Sequence, residues 1–455
     1  MRIYKFICRG FCVALILTVG AAQNFFAQNS VNQTNQTAAV SPPMLARDEA
    51  VRLTLAQIST YNQAQLNERL AAEDIRQSRA ALYPRLTLNP SYIFTTPSFS
   101  SNSPNAGTPG NPSFLGANAV NEIQGLVTLS GELDTSGRLR ATVRRNRLLL
   151  EAARSGTESA RRALVGQTDE AYLNLALATA KRRAADENLR IANEFENLTR
   201  ILVSGGEVAP IDTVRAEIQT GARRDEMSQA QLAEMQAADI LRVSVGYAAT
   251  QQFGVADLLT SVPDTSEVEQ LTANLSETRP EIAQLVAEQK AAQEDVKIAR
   301  AERRPQITYA LDGGFISDSL APQSIYQTTG ARATVGVSIP LLDFGASKSR
   351  QTQAALRAQA AEQSRIFAER ALAQTFRAAV LQATSARDRI RLLGETITKA
   401  EKVVEVSTLR YRSGEAPITE VTDAQTTLVQ QRAALYQAIF DYQIALARLR
   451  QAVGK

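Results

Sequence analysis

Residues 204–217 read SGGEVAPIDTVRAE, and residues 412–425 read RSGEAPITEVTDAQ. Laid over each other, Gly206 meets Gly414, Glu207 meets Glu415, Asp212 meets Glu420 and Ala216 meets Ala424, at an offset of 414 − 206 = 208. The flanks repeat as well. EDIRQSRAALYPRLTL (73–88) lies over EDVKIARAERRPQITY (294–309), at an offset of 294 − 73 = 221. Gly137 meets Gly345, again at 208. The order of features is the same in both halves, and one spacer differs by 221 − 208 = 13 residues. A unit of about 200 residues is too long for a solenoid repeat, so the chain is two copies of one architecture.

Each copy is mostly helix. Ala, Leu, Gln, Glu and Arg dominate, all good helix formers. No proline occurs in 138–203 or in 346–413, and a helix of that length is about 100 Å long. Ile191, Phe195, Leu198 and Leu202 step by 4, 3 and 4, and Val421, Leu428, Leu435, Tyr442 and Leu449 step by seven. These are the periods of helices packed side by side. At the quoted corners, Gly205, Gly206 and Gly414 suit the left-handed end of a helix. Pro210 and Pro417 suit the first turn of the next one. Each corner is expected to be a tight turn between antiparallel helices.

Four stretches alternate instead. In 85–95, Leu86, Leu88, Tyr92 and Phe94 share one face. Ile123, Val127 and Leu129 do so in 122–130, Ile307, Tyr309, Leu311 and Phe315 in 306–315, and Ala333, Val335, Val337 and Ile339 in 331–341. About ten residues with one apolar and one polar face is the pattern of a membrane barrel strand. The connections 96–121 and 317–330 are rich in Pro, Ser, Asn and Gly and read as external loops. Four strands cannot close, and lipid does not tolerate open edges. Several chains are therefore needed, and three supply twelve strands with a bore. Tyr92, Phe94, Tyr309 and Phe315 are candidates for the interfacial aromatic belt; tryptophan is absent.

The organisation expected is a signal peptide (1–27), a polar flexible leader (28–45), a first repeat (46–250, long helix 138–204), a connecting segment (251–277) and a second repeat (278–455, long helix 346–413). Arg2, Lys5 and Arg9 precede the apolar run 11–19, which is too short to span a bilayer. Cys8 and Cys12, the only two cysteines, fall in that signal. Removing its three cations takes the formal charge from +4 to +1, so nothing points to nucleic acid. Histidine is absent, which excludes a Ser-His-Asp triad and a His-bound metal. No Gly-rich phosphate loop follows a strand. Neither catalysis nor a cofactor is expected.

The duplicated corners, Tyr83–Pro84 and Arg304–Pro305 opening the strands, LLDFG at 341–345 and TRPEI at 278–282 together resemble the TolC-like outer membrane efflux proteins. The resemblance runs over about 45–455. It implies a mainly α fold with a membrane β-barrel: long antiparallel coiled-coil helices plus four β-strands per protomer. In a homotrimer these form a 12-stranded barrel in the outer membrane, continuing into an α-helical tunnel in the periplasm. The implied function is passive export of small toxic compounds, or type I secretion. The implied partners are a periplasmic adaptor and an inner-membrane transporter.

Residue by residue, the resemblance places Glu420 and Asp423 at the periplasmic entrance as stacked anionic rings. They are three residues apart and so share a helical face; acids favouring a helix N-terminus is the plainer reading. Tyr411 and Asp212 match a latch that holds the corners shut. Its arginine is replaced by Ala416, with Arg412 or Arg215 as substitutes. Gly205, Gly206, Glu207, Ser413, Gly414 and Glu415 match the tips that meet the adaptor. The competing reading is a soluble periplasmic coiled-coil adaptor or scaffold, which requires the four alternating runs to lie in a soluble sheet or in helix.

Overall fold

The computed structural model describes residues 43–95, 121–256, 267–268 and 279–453. The signal segment, most of the leader, most of the 96–121 loop and most of the 251–277 connector lie outside the described residues. β1 (Met44–Leu45) precedes the first repeat, which contains α1 (Arg47–Ala56), α2 (Thr60–Ala80), β2 (Arg85–Phe94), β3 (Asn121–Leu133), α3 (Arg138–Ser204) and α4 (Pro210–Val245). After β4 (Gly254–Val255), the second contains α5 (Pro280–Ala301), β5 (Gln306–Ser317), α6 (Pro322–Gln327), β6 (Thr329–Ser338), α7 (Ala346–Arg412) and α8 (Ile418–Val453). The fold is mainly α, and the four alternating runs are four strands.

Among the described residues the strands form one antiparallel sheet in the order β2-β3-β5-β6, leaving β2 and β6 as open edges. Their register brings the apolar positions to one face. Leu86 lies opposite Leu129, Leu129 opposite Leu311, and Leu311 opposite Ala333. The other face is polar. A row crosses it from Thr128, which donates to Asp312 at 2.8 Å, to Arg332, which pairs with Asp312 at 2.9 Å. On the edge strands, Leu86, Leu88, Tyr92, Phe94, Val335 and Val337 are exposed, at 60–71%.

Several bounds differ from the sequence reading: β2 ends at Phe94 rather than 95, β3 covers Asn121–Leu133 rather than 122–130, β5 runs to Ser317 rather than 315, β6 begins at Thr329 rather than 331, and Met44–Leu45 leave the expected leader to form β1. β6 ends at Ser338 rather than 341, because its partner β5 begins at Gln306, opposite Ser338. The 317–330 connection is not wholly loop: it holds α6, opened by Pro322 at a position where a missing N–H costs nothing.

Both long helices start from the same device. Leu139 and Arg140 donate their amides to the Asp134 carboxylate at 3.0 Å each. The Ser347 and Gly345 amides donate to Asp343 at 2.8 and 3.2 Å. Each aspartate satisfies N–H groups that a helix start leaves unpaired. Burial alone would push Asp134 up, but the Arg140 guanidinium and the two amides outweigh it and hold it below the usual carboxylate range. Hydrogen bonds from Ser347 do the same for Asp343.

The main core sits at mid-height. α1, α3, α4, α7 and α8 converge there on Tyr172, Leu241, Ala383, Ala438, Tyr442 and Leu449. Each buried leucine contributes about 2 kcal/mol, and the alanines let the helix axes approach. The Tyr172 hydroxyl donates to the Leu45 carbonyl at 3.0 Å and accepts from the Ala256 amide at 3.1 Å. It thereby ties the parallel β1–β4 pair to α3. Arg47 clamps Asp169 through two bonds of 2.7 Å. Further up α3, Arg161 and Arg162 each hold Glu158 at 2.8 Å. The Arg161 bond leads in lowering the pKa of Glu158 to about 2.

Candidate functional site

The functional candidates converge on the two helix corners. Each corner is a Schellman turn. In the first, the Glu207 amide bonds the Leu202 carbonyl and the Gly206 amide bonds Val203, both at 3.0 Å. In the second, Glu415 bonds Arg410 at 2.8 Å and Gly414 bonds Tyr411 at 3.1 Å. Gly206 and Gly414 both have φ +75°, the left-handed conformation.

Gly205 does not share that conformation. It is right-handed, with φ −77°, and its counterpart in the second corner is Ser413. The expectation for Gly205 is corrected on this point: the motif needs only one left-handed residue, the one after the helix cap. Pro210 is the first residue of α4, as expected. Pro417 precedes α8, which begins at Ile418. A proline one position earlier serves equally, since it too has no N–H to leave unpaired. The six tip residues, Gly205, Gly206, Glu207, Ser413, Gly414 and Glu415, are all exposed.

A small apolar cluster holds the corners side by side: Phe195 of α3, Ala216 of α4, Tyr411 of α7, and Ile418 and Val421 of α8. The Phe195 and Tyr411 rings tilt against each other at 5.5 Å between centroids, a geometry that adds about 1 kcal/mol to simple burial. Tyr411 is 1% exposed. Among the described residues its hydroxyl has no well-formed hydrogen bond; Thr199 and Asp212 face it, and burial pushes its pKa up. Asp212 instead meets Arg215, one turn along α4, at 3.5 Å. Tyr411 and Asp212 are thus brought together, Asp212 facing the Tyr411 hydroxyl while pairing with Arg215.

Glu420 and Asp423 lie in the first two turns of α8. They are not equivalent. Arg410, in the last turn of α7, reaches across the corner to Glu420 at 2.6 Å. Lys399 and Lys402 border the same groove as Glu420. Asp423 is exposed, and among the described residues no cation pairs with it. Sequence comparison of the two corners did not single out Arg410, because its counterpart Leu202 is apolar. The signal available was a cation placed ten residues before an acid across a turn. The described residues include no cluster of metal-ligating side chains, and no helix among them is long and apolar enough to cross a membrane.

Known proteins carry this architecture. Cobalt-zinc-cadmium resistance protein CzcC of Cupriavidus metallidurans is 23% identical over 420 residues, covering 92% of this chain and 94% of its own. The solved outer membrane protein VceC of Vibrio cholerae superposes with a TM-score of 0.78 at 18% identity, covering 90% of this chain and 96% of its own. The CusC structure, described as showing conformational changes on folding and transmembrane channel formation, also gives 0.78, at 18% identity, 90% coverage of this chain and 91% of its own. The family model "Outer membrane efflux protein" matches residues 50–247 and 271–455. With its duplicated helices, its amphipathic sheet and a family match spanning both repeats, the chain belongs to the outer membrane efflux protein family.

Proposed function

We propose that three copies of this chain form a passive export duct. The sheets join into a twelve-stranded barrel in the outer membrane, and the helices continue as a tunnel into the periplasm. The observation that carries this reading is the four-stranded sheet, which has one continuous apolar face and both edges unpaired. Such a sheet is satisfied in lipid only when its edges close on other strands. Transport needs no chemistry from this chain. An inner-membrane transporter supplies the energy, and a periplasmic adaptor bridges to it at the exposed tips around Gly206–Glu207 and Gly414–Glu415. The cargo is small toxic compounds or, in the same architecture, a type I secretion substrate.

The corners form the gated entrance. Asp423 supplies the unmasked anionic ring, and Glu420 a second ring that Arg410 partly neutralises. The latch at Tyr411 and Asp212 works mainly through the packing of the Tyr411 ring, since its hydroxyl has no well-formed hydrogen bond among the described residues and Asp212 is drawn toward Arg215. Cell fractionation followed by unheated gel electrophoresis tests the assembly: a heat-dissociable trimer in the outer-membrane fraction is expected. A detergent-independent monomer in the periplasmic fraction overturns the reading.

A further inference from the structure

Charge is scarce in the sheet and in the connections beyond it. From Leu86 to Gly137 the sequence holds no Lys or Arg, and from Pro305 to Leu342 it holds one, Arg332 of β6. The acids of the same stretches are Glu122, Glu132, Asp134, Asp312 and Asp318. Glu132 and Asp134 lie where β3 leads into α3 and are paired with Arg138 and Arg140 of that helix.

Arg332 stands on the polar face, in the row Thr87–Thr128–Asp312–Arg332. Its Nε and one terminal nitrogen donate to a single oxygen of Asp312, at 3.2 and 2.9 Å. The other oxygen of that carboxylate accepts from Thr128 at 2.8 Å. The two charges are unequally placed: the Arg332 side chain is 73% exposed and that of Asp312 is 13% exposed. The carboxylate is recessed between strands, and the guanidinium projects above it. No other acid lies close on this face. Glu122 is six residues along β3 from Thr128, about 20 Å away. Neither edge strand contains an acid, β2 reading RLTLNPSYIF and β6 TGARATVGVS. Closing the edges on further copies therefore brings Arg332 no second carboxylate.

We infer that Arg332 sets the charge preference of the barrel lumen. In the duct proposed above, on which this inference rests, three copies make a ring of guanidiniums that draws carboxylate and phosphate groups into the outer half of the channel. Rings of arginine act in this way in anion pores, and a planar guanidinium takes both groups through paired N–H donors. Asp312 steadies the side chain without cancelling it, because it is recessed. The ring is separated from Asp423 by the length of α7, about 100 Å, and has the opposite sign. An anionic group that has passed the corners is drawn onward here.

A thiol beside Arg332 reads the local potential directly, whatever the state of the corners, since residues 28–455 contain no cysteine. Gly330 and Thr334 flank Arg332 on the same face. Both are exposed, and a Cβ added at Gly330 meets nothing within 4 Å. The full-length protein carrying Thr334→Cys, or Gly330→Cys where the first variant fails to insert, is treated in membranes with an anionic (sulfonatoethyl) and a cationic (trimethylammonioethyl) methanethiosulfonate. A unit charge about 8 Å away in water changes the concentration of a univalent ion roughly 1.5-fold at 0.1 M salt, in opposite senses for the two reagents. The anion-to-cation rate ratio is therefore expected to fall at least about twofold in Arg332→Gln, to be kept in Arg332→Lys, and to lose its dependence on Arg332 at 1 M salt. The deciding comparison is with Arg332→Gln/Asp312→Asn, which removes both charges. A parent ratio above that of the double variant is expected; equal ratios mean that the pair cancels itself and overturn the inference. Val335→Cys, on the apolar face, and an unheated gel test the duct separately. A monomer, or a trimer whose thiol at 334 is closed to both reagents, overturns the duct and the inference together. A trimer with a reactive 334, an unreactive 335 and a ratio indifferent to Arg332 overturns the inference alone.

Discussion

Replacing Gly206 by alanine separates backbone strain from every other contribution at the corner. A Cβ added there meets nothing within 4 Å, so the only cost is holding an L-residue at φ +75°. That cost is about 1–2 kcal/mol. Gly205 is the internal control. Its φ of −77° suits any residue, and the nearest atom to an added Cβ is the Leu202 carbonyl oxygen at 3.6 Å. Gly205→Ala should be neutral, or stabilising by about 0.4–1 kcal/mol through the unfolded chain. The two amides that close the Schellman turn, those of Gly206 and Glu207, report the difference by hydrogen exchange in the assembled protein. A loss of 1–2 kcal/mol lowers their protection roughly 5- to 30-fold. In Gly205→Ala their protection stays level or rises. The same contrast is expected between Gly414→Ala and Ser413→Ala. Equal loss of protection in Gly205→Ala and Gly206→Ala would refute the assignment of the left-handed position.

At the second corner, proposed as the entrance, Arg410→Ala unmasks Glu420 and should raise cation preference in planar-bilayer reversal potentials. Glu420→Ala alone should change that preference less than Asp423→Ala. Tyr411→Phe removes a hydroxyl that has no well-formed hydrogen bond among the described residues and should leave baseline conductance unchanged. Tyr411→Ala empties a site whose loss costs about 3–5 kcal/mol and should raise baseline conductance. Asp343→Ala removes a helix cap worth about 1 kcal/mol, so hydrogen exchange at the Ser347 amide should quicken roughly fivefold. Glu158, held at a pKa of about 2, stabilises the fold above its unfolded value near 4.5, and that contribution is lost as pH falls toward 2. The group is 37% exposed, and solvent screening keeps the effect below about 1 kcal/mol. A Glu158→Gln variant should therefore be less stable than the parent in urea at pH 7 and equal to it near pH 2.

Much of the fold was legible because its signals are local. Leu86, Leu88, Tyr92 and Phe94 alternate with polar residues, and a period of two has no other structural use. The Gly206 and Gly414 turns were visible because a positive φ favours one residue type. What escaped depends on tertiary surroundings. Asp134 and Asp343 cap helices from outside them, so no helical pattern includes them. Glu73–Asp74 and Glu294–Asp295 are the same dipeptide. The first is solvated, Glu73 pairing with its neighbour Arg76, while Glu294 is 7% exposed against Arg144 of another helix. β1 and β4 are two residues each, shorter than any periodicity. At the second corner, the acidic pair Glu420 and Asp423 was visible but its inequality was not, since Arg410 reaches Glu420 only once the corner has folded.

The two unpaired strand edges have a genetic consequence. A subunit whose β6 edge is spoiled, for instance by a proline, still offers a sound β2 to its neighbour. It would enter an assembly and leave a breach that normal siblings cannot bridge. Such an allele should be dominant when expressed beside the normal gene, whereas a deletion should be recessive.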